Sequence, residues 1–229
     1  MYCHAVWQQR MQTMGRKNMI IRPLGDSEHD ELVALVREAF WNLYVPGCDE
    51  HYLAHIMRTH PDYLPGLEFV AEQDGRLVGA IMYTKSYLED GEGRKLDTLT
   101  FGPLCVHPQY QRRGIGPALI AHTAALARSQ GCPAIIIYGD AHNYCKHGFR
   151  NGRDFQVADA RGRYPLGLLV LPLDPSAFGP EKSYTYHYSD VYEVDHEAAV
   201  AFDRTLPEKP KAWRWTQELF SMQTRAYLE

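Results

Sequence analysis

Apolar and polar positions follow two different periods along this chain, and the switches between them mark its elements. Met19–Arg22 (MIIR) is a short apolar run closed by Pro23 and reads as a strand. Leu32, Leu35, Val36, Ala39 and Phe40 recur at three- and four-residue spacing. They predict a helix that is capped by Asp26 or Ser27 and runs to about Trp41. Asn42–Cys48, with Pro46-Gly47 at its tip, reads as a loop. Tyr52, Leu53, Ile56 and Met57 form one face of a second helix from Asp49 to about Thr59, stopped by Pro61 and Pro65-Gly66. Leu67–Gln73 and Arg76–Leu88 flank Asp74-Gly75, a strong hairpin signal. A turn at Asp90–Gly93 leads into a third strand, Leu96–Val106, and completes a meander. Gly102-Pro103 falls inside that strand and predicts a bulge, with pairing interrupted so that Leu104, Cys105 and Val106 offer backbone groups to a ligand.

The second half begins with a helix from Pro117 to about Gln130, with Leu119, Ile120, Thr123, Ala124, Leu126 and Ala127 on one face and Gly131 and Pro133 at its end. Ala134–Tyr138 (AIIIY) is continuously apolar, as expected of a parallel strand buried on both faces. Strand, helix and apolar strand make a right-handed crossover unit. Leu166–Leu173 is a further strand. Ser183–Asp190 alternates, with Tyr184, Tyr186 and Tyr188 on one side, which fits core or a dimer surface better than a binding cage. Asp195–Arg204 reads as helix, Pro207–Lys211 as a break, and Trp213–Leu228 as a final helix. The fold class is α+β, a mixed sheet flanked by helices.

Composition narrows the function classes. Of 229 residues, 45% are hydrophobic and 23% charged, the balance of a soluble globular domain. The net charge of −4 gives no electrostatic case for nucleic acid or an anionic membrane, and no apolar run approaches a membrane span. Cys3, Cys48, Cys105, Cys132 and Cys145 are scattered without a CxxC pair, which argues for a reducing compartment and a cytoplasmic location. Residues 1–18 lack an apolar signal core and are expected to be a disordered tail, with Met19 an alternative start to Met1. The aromatics near the C-terminus are compatible with a homodimer.

The chemistry concentrates between Leu104 and Leu119. Arg112 and Arg113 precede Gly114-Ile115-Gly116, and Pro117 stands where a first helical residue is expected. Such a loop aims backbone N–H groups at the positive end of a helix dipole and suits phosphate. A dinucleotide fingerprint would need glycine where Leu119 stands, and a triphosphate loop would need Gly-Lys-Ser/Thr. Gln111-Arg112-Arg113-Gly114-Ile115-Gly116 instead resembles the Gln/Arg-x-x-Gly-x-Gly/Ala signature of the GNAT superfamily of acetyl-CoA-dependent N-acetyltransferases. Tyr144, four residues before Gly148-Phe149, matches a second feature of that family, and Gly139-Asp140 resembles a subgroup of predicted prokaryotic N-acetyltransferases.

The resemblance covers about residues 19–173 and leaves 174–229 as a C-terminal extension packed on the core or on a partner subunit. It implies a sheet of about seven strands, splayed between the fourth and fifth. It implies coenzyme A on Leu104, Cys105, Val106, Gln111, Arg112, Arg113, Gly114, Ile115, Gly116, Pro117 and Asn143. It gives Tyr144 the departing thiolate and the N–H of Val106 or a neighbour the developing oxyanion. The implied reaction is direct acetyl transfer to an amine acceptor that the sequence does not identify. An acyl-CoA-binding sensor or interaction module with little turnover, and an acyl-CoA hydrolase, stay open as alternatives. Asp97, Asp140, His107 and Glu68 are candidates for the base, each with a structural role as the simpler reading. No metal is expected: His51 and His55 share a helix face, but Tyr52 stands where metalloprotease spacing needs glutamate. His142, Cys145 and His147 lack a second ligand cluster.

Overall fold

The computed structural model describes residues 19–179 and 181–229, so the tail expected over residues 1–18 lies outside it. In chain order the elements are β1 (Met19–Pro23), α1 (His29–Phe40), α2 (Glu50–Met57), β2 (Phe69–Gln73), β3 (Arg76–Asp90) and β4 (Lys95–Val106). They continue with α3 (Ile115–Ser129), β5 (Ala134–Tyr138), α4 (Ala141–Tyr144), β6 (Arg150–Asn151), β7 (Val157–Ala158), β8 (Tyr164–Pro165) and β9 (Leu168–Pro172). The last are β10 (Tyr184–Tyr188), α5 (His196–Asp203), α6 (Trp215–Thr224) and β11 (Tyr227–Leu228).

The hairpin forms where Asp74-Gly75 predicts it. Both residues take left-handed φ, +53° and +75°, as a two-residue turn matched to strand twist requires. The main sheet runs β1-β2-β3-β4-β5-β9-β6, with β10 added beside the far half of β3. Leu67, Val78, Ile81 and Ile135 pack on one face against Leu119 and Ile120 of α3. On the other face Val70, Ala80 and Met82 pack against Leu32, Val36 and Leu53 of α1 and α2. Tyr83 is fully buried and ties β3 to α3 through a 2.8 Å hydrogen bond between its hydroxyl and that of Thr123. Among the described residues no helix is long and apolar enough to cross a membrane.

Three local expectations change. Neither Asp26 nor Ser27 caps the first helix: a 3-10 turn comes first, and the Glu28 carboxylate reaches back to the Gly25 N–H at 2.7 Å. Tertiary partners drive this, because Arg22 grips the same carboxylate at 2.6 Å. The helix after the glycine loop begins at Ile115, so Pro117 is its third residue; Gly114, at φ +79°, turns the chain into the helix earlier. Proline fits there because none of the first four helical N–H groups has an intrahelical partner. The final helix is shorter than its pattern, and Tyr227–Leu228 pairs with β8.

The C-terminal segment is held by polar side chains. Arg37 of α1 donates to Asp203 of α5 at 2.8 Å and to the Pro207 carbonyl at 2.9 Å, nearly shielded from water. The buried Asn42 accepts from the N–H groups of Gly47 (2.8 Å) and Ala212 (3.0 Å) and donates to the Pro210 carbonyl (3.1 Å). Removing one partner of a buried ion pair strands the other charge. Arg37→Ala is therefore expected to cost about 3 kcal/mol in a urea melt. A loss below about 1 kcal/mol would mean that the segment is anchored elsewhere.

Candidate active site

The site forms where β4 and β5 part. These parallel strands pair only at Leu99 and Ile135. Past that point one edge of β4 stays on β3 while the other loses its neighbour. The expected bulge is present: Gly102 and Pro103 together oppose Met82, between the pairs Tyr83–Phe101 and Ile81–Leu104. Pairing with β3 is not broken, however, and Leu104, Cys105 and Val106 continue opposite Ile81, Ala80 and Gly79. The open edge comes from the departure of β5. The His107 N–H points to β3, donating to Val78 O at 2.9 Å, so strand alternation turns the Val106 N–H to the open edge.

At the end of this edge lies the glycine loop. The first main-chain bond of α3 runs from the Ala118 N–H to Gly114 O at 3.1 Å, which leaves the N–H groups of the preceding turn for a ligand. Arg112, at φ +61°, and Arg113 are exposed beside it, and Arg113 lies over the Tyr110 ring. Gln111 donates to Val106 O at 3.3 Å and ties the loop to β4. Gly79 lets α3 come this close: a Cβ there would meet Ile115 Cγ2 at 2.7 Å.

Between the splayed strands is a cavity of about 640 Å³, lined by Thr100–Leu104, Gly139, Asp140 and Tyr144. Tyr144 packs against Phe101 and Phe149 and sits so near Gly139 that a Cβ there would lie 2.6 Å from its ring. Burial, then the charge side of Tyr44 and Asp140, pushes the Tyr144 hydroxyl above the usual tyrosine range, so it keeps its proton. Asn143 is exposed on the same short helix. Asp140 caps that helix by accepting from the His142 N–H at 2.9 Å and also lines the cavity. The buried Cys105 thiol is pushed up to about 12, which leaves it a packing residue rather than a nucleophile.

The other candidate bases fall elsewhere. His107 accepts from the Gln109 N–H and shapes the turn. Asp97 lines a separate cleft with Ser86 and Thr98. Glu68 is buried beside Arg58 at 3.5 Å. His51 and His55 do not converge: His51 meets Cys48 and Asp203, and His55 stacks on Phe202.

The model of the acetyltransferase (GNAT) family matches residues 35–149, half of the chain. The chain belongs to this family. The acetyltransferase plu1384 of Photorhabdus laumondii is 32% identical over 119 residues, covering 52% of this chain and 73% of that one. The uncharacterized N-acetyltransferase YjhQ of Escherichia coli is 34% identical over 85 residues, 37% of this chain and 46% of YjhQ, so the chain spans less than half of that GNAT relative. Among solved structures, the GNAT family N-acetyltransferase YhbS of Escherichia coli, in complex with CoA, shares the fold. Its TM-score is 0.65 at 20% identity, over 77% of this chain and 92% of YhbS. The mixed sheet with its parting β4 and β5 is consistent with the GNAT fold.

Sequence reasoning missed the far wall of the cavity. Tyr44, Glu50, Tyr138, Asp159, Glu193 and Phe220 all line it, drawn from segments distant in sequence. The stripe on β10 divides: Tyr184 and Tyr186 are buried, while Tyr186 and Tyr188 also face the cavity. In the sequence most of these residues were visible only as parts of a loop at Asn42–Cys48, of the helix after it and of the C-terminal segment, with nothing to say that they meet.

Proposed function

We propose that the protein transfers an acetyl group from acetyl-CoA to a primary amine by direct attack, without an acyl-enzyme. The observation that carries this reading is the unpaired edge of β4, with an anion-binding helix start at one end and Tyr144 at the other. Arg112, Arg113 and the N–H groups around Gly114–Gly116 hold the pyrophosphate. Gln111, Pro117 and Asn143 flank it. Backbone groups of Leu104, Cys105 and Val106 border the pantetheine arm, and the N–H of Leu104, which by strand alternation shares the open edge with that of Val106 and lines the cavity with Tyr144, stabilises the carbonyl oxygen as it gains charge. The neutral amine nitrogen forms a bond to the carbonyl carbon, and the carbon–sulfur bond breaks. Tyr144 gives its proton to the departing sulfur. The proton shed by the nitrogen is taken up by the Tyr144 phenolate, directly or through water, which restores the neutral hydroxyl. YhbS, solved with CoA, supports the cofactor assignment.

Calorimetric titration of acetyl-CoA, followed by a thiol-release assay with and without primary amines, tests this reading. Binding together with amine-dependent thiol release is the expected result. Binding without turnover would make the chain a sensor, and release independent of amine would make it a hydrolase.

A further inference from the structure

The cavity holds charge that the transfer step does not use. Four carboxylates line it (Glu50, Asp140, Asp159 and Glu193) against a single guanidinium, Arg163. Two of the four are already occupied. Asp159 pairs with Arg163 at 3.0 Å and accepts two main-chain N–H groups, and Asp140 caps α4. The other two have no cation among the described residues. Glu50, the first residue of α2, takes the Asp49 N–H at 3.2 Å, and Glu193 takes the Tyr188 hydroxyl. The walls between them are aromatic, contributed by Tyr44, Tyr138, Tyr188, Tyr192, Phe220 and Tyr227. One of these rings already carries a cation: the Arg163 guanidinium lies 4.0 Å from the centre of Tyr227.

The two free carboxylates stand at different ends. Glu50 bears on Tyr44, which stacks on Phe220 and in turn bears on Tyr144. Glu193 is bonded to Tyr188, next to Tyr138 and Tyr192. Phe220, Gln223, Thr224 and Tyr227 of the C-terminal segment also border the cavity, whose volume of about 640 Å³ suits a small molecule. An unpaired carboxylate in a partly desolvated, aromatic pocket is costly until a cation joins it.

We propose that the acceptor is a small aliphatic amine with a second cationic nitrogen, a diamine or polyamine, whose reacting ammonium gives its proton to Glu50 while Glu193 and the Tyr188 ring hold the distal cation. This inference rests on the acetyl-transfer reading above. Proton transfer from the ammonium to the Glu50 carboxylate leaves the neutral amine that attacks. Glu50 is tuned to accept that proton near neutral pH, because burial pushes its carboxyl up to about 7, against the helix-start N–H groups that pull it down. The titratable groups facing it are Asp49, Cys48 and Tyr44 on its own loop and Asp140 across the cavity.

The experiment uses the full chain, acetyl-CoA and three amines matched in length: 1,4-diaminobutane, butylamine and 4-aminobutyrate. The expected kcat/KM for the diamine exceeds that for butylamine by about 10-fold or more, with 4-aminobutyrate lowest. Glu193→Gln is expected to collapse the diamine-to-butylamine ratio to below about 3 through KM. Glu50→Gln is expected to lower kcat about 100-fold and to abolish the ionisation near pH 7 on the acid limb of the rate profile. Calorimetric titration of acetyl-CoA into each variant shows whether the cofactor end is intact. Acetyl-CoA binding with no preference for the diamine, or with the acidic amine preferred, overturns the acceptor assignment and leaves the cofactor assignment standing. An unchanged acid limb in Glu50→Gln overturns the proton step. Absence of acetyl-CoA binding in the parent overturns the transfer reading itself, and this inference with it.

Discussion

Gly116→Val is expected to abolish measurable acetyl-CoA binding in a protein that folds like its parent. In the proposed complex the helix start presents N–H groups to phosphate oxygens at close range, and a branched side chain beside them would fill the space the oxygens need. Losing even two charge-assisted hydrogen bonds weakens binding by about 100-fold or more. The position is a clean probe because the protein itself leaves room for the change: a Cβ at Gly116 meets nothing nearer than Val106 Cγ2 at 3.8 Å. Gly114 is the wrong choice, because its φ of +79° would strain any branched residue and confuse lost binding with lost folding. Calorimetry on the parent and variant, with a thermal melt of each, reads both quantities. Undiminished affinity in Gly116→Val would place the pyrophosphate elsewhere.

Tyr144→Phe should lower kcat by about 100-fold while acetyl-CoA affinity holds. The ring is fixed by Phe101 and Phe149, and phenylalanine keeps those contacts and the close approach to Gly139. Only the hydroxyl is lost, so the effect should fall on the step that releases the thiolate. A hydroxyl held in its protonated form by burial is a competent donor throughout the neutral range. Rates should then respond to the leaving group: a thioester with a more acidic thiol should lose less in the variant. Full activity in Tyr144→Phe would return this residue to a packing role.

The elements around the glycine loop were legible in the sequence because their determinants are local. The Asp74-Gly75 turn, the apolar run of β5 and the Gly114-Ile115-Gly116 loop each depend on backbone preferences of a few adjacent residues. Helix boundaries were less legible. The first helix starts on a carboxylate shared with Arg22, which the distant Glu72 also holds, and Gly114 sets the start of α3 two residues before proline. Gly102-Pro103 announced a bulge, yet the unpaired edge comes from where β5 diverges, which depends on packing across the whole sheet.

The far wall of the cavity was not legible, and the reason is physical. Glu50, Tyr138, Glu193 and Phe220 lie on four separate segments with no spacing rule between them, and their meeting depends on the docking of the C-terminal segment through Asn42, Arg37 and Asp203. By itself, then, the sequence determined the hairpin, the crossover unit and the glycine loop before α3, because short-range backbone and dipole effects specify each one. Only the tertiary structure decided which carboxylates stay unpaired, how far Glu50 is desolvated and which rings enclose the cavity. Those properties come from burial and long-range contact, which no local window of residues encodes.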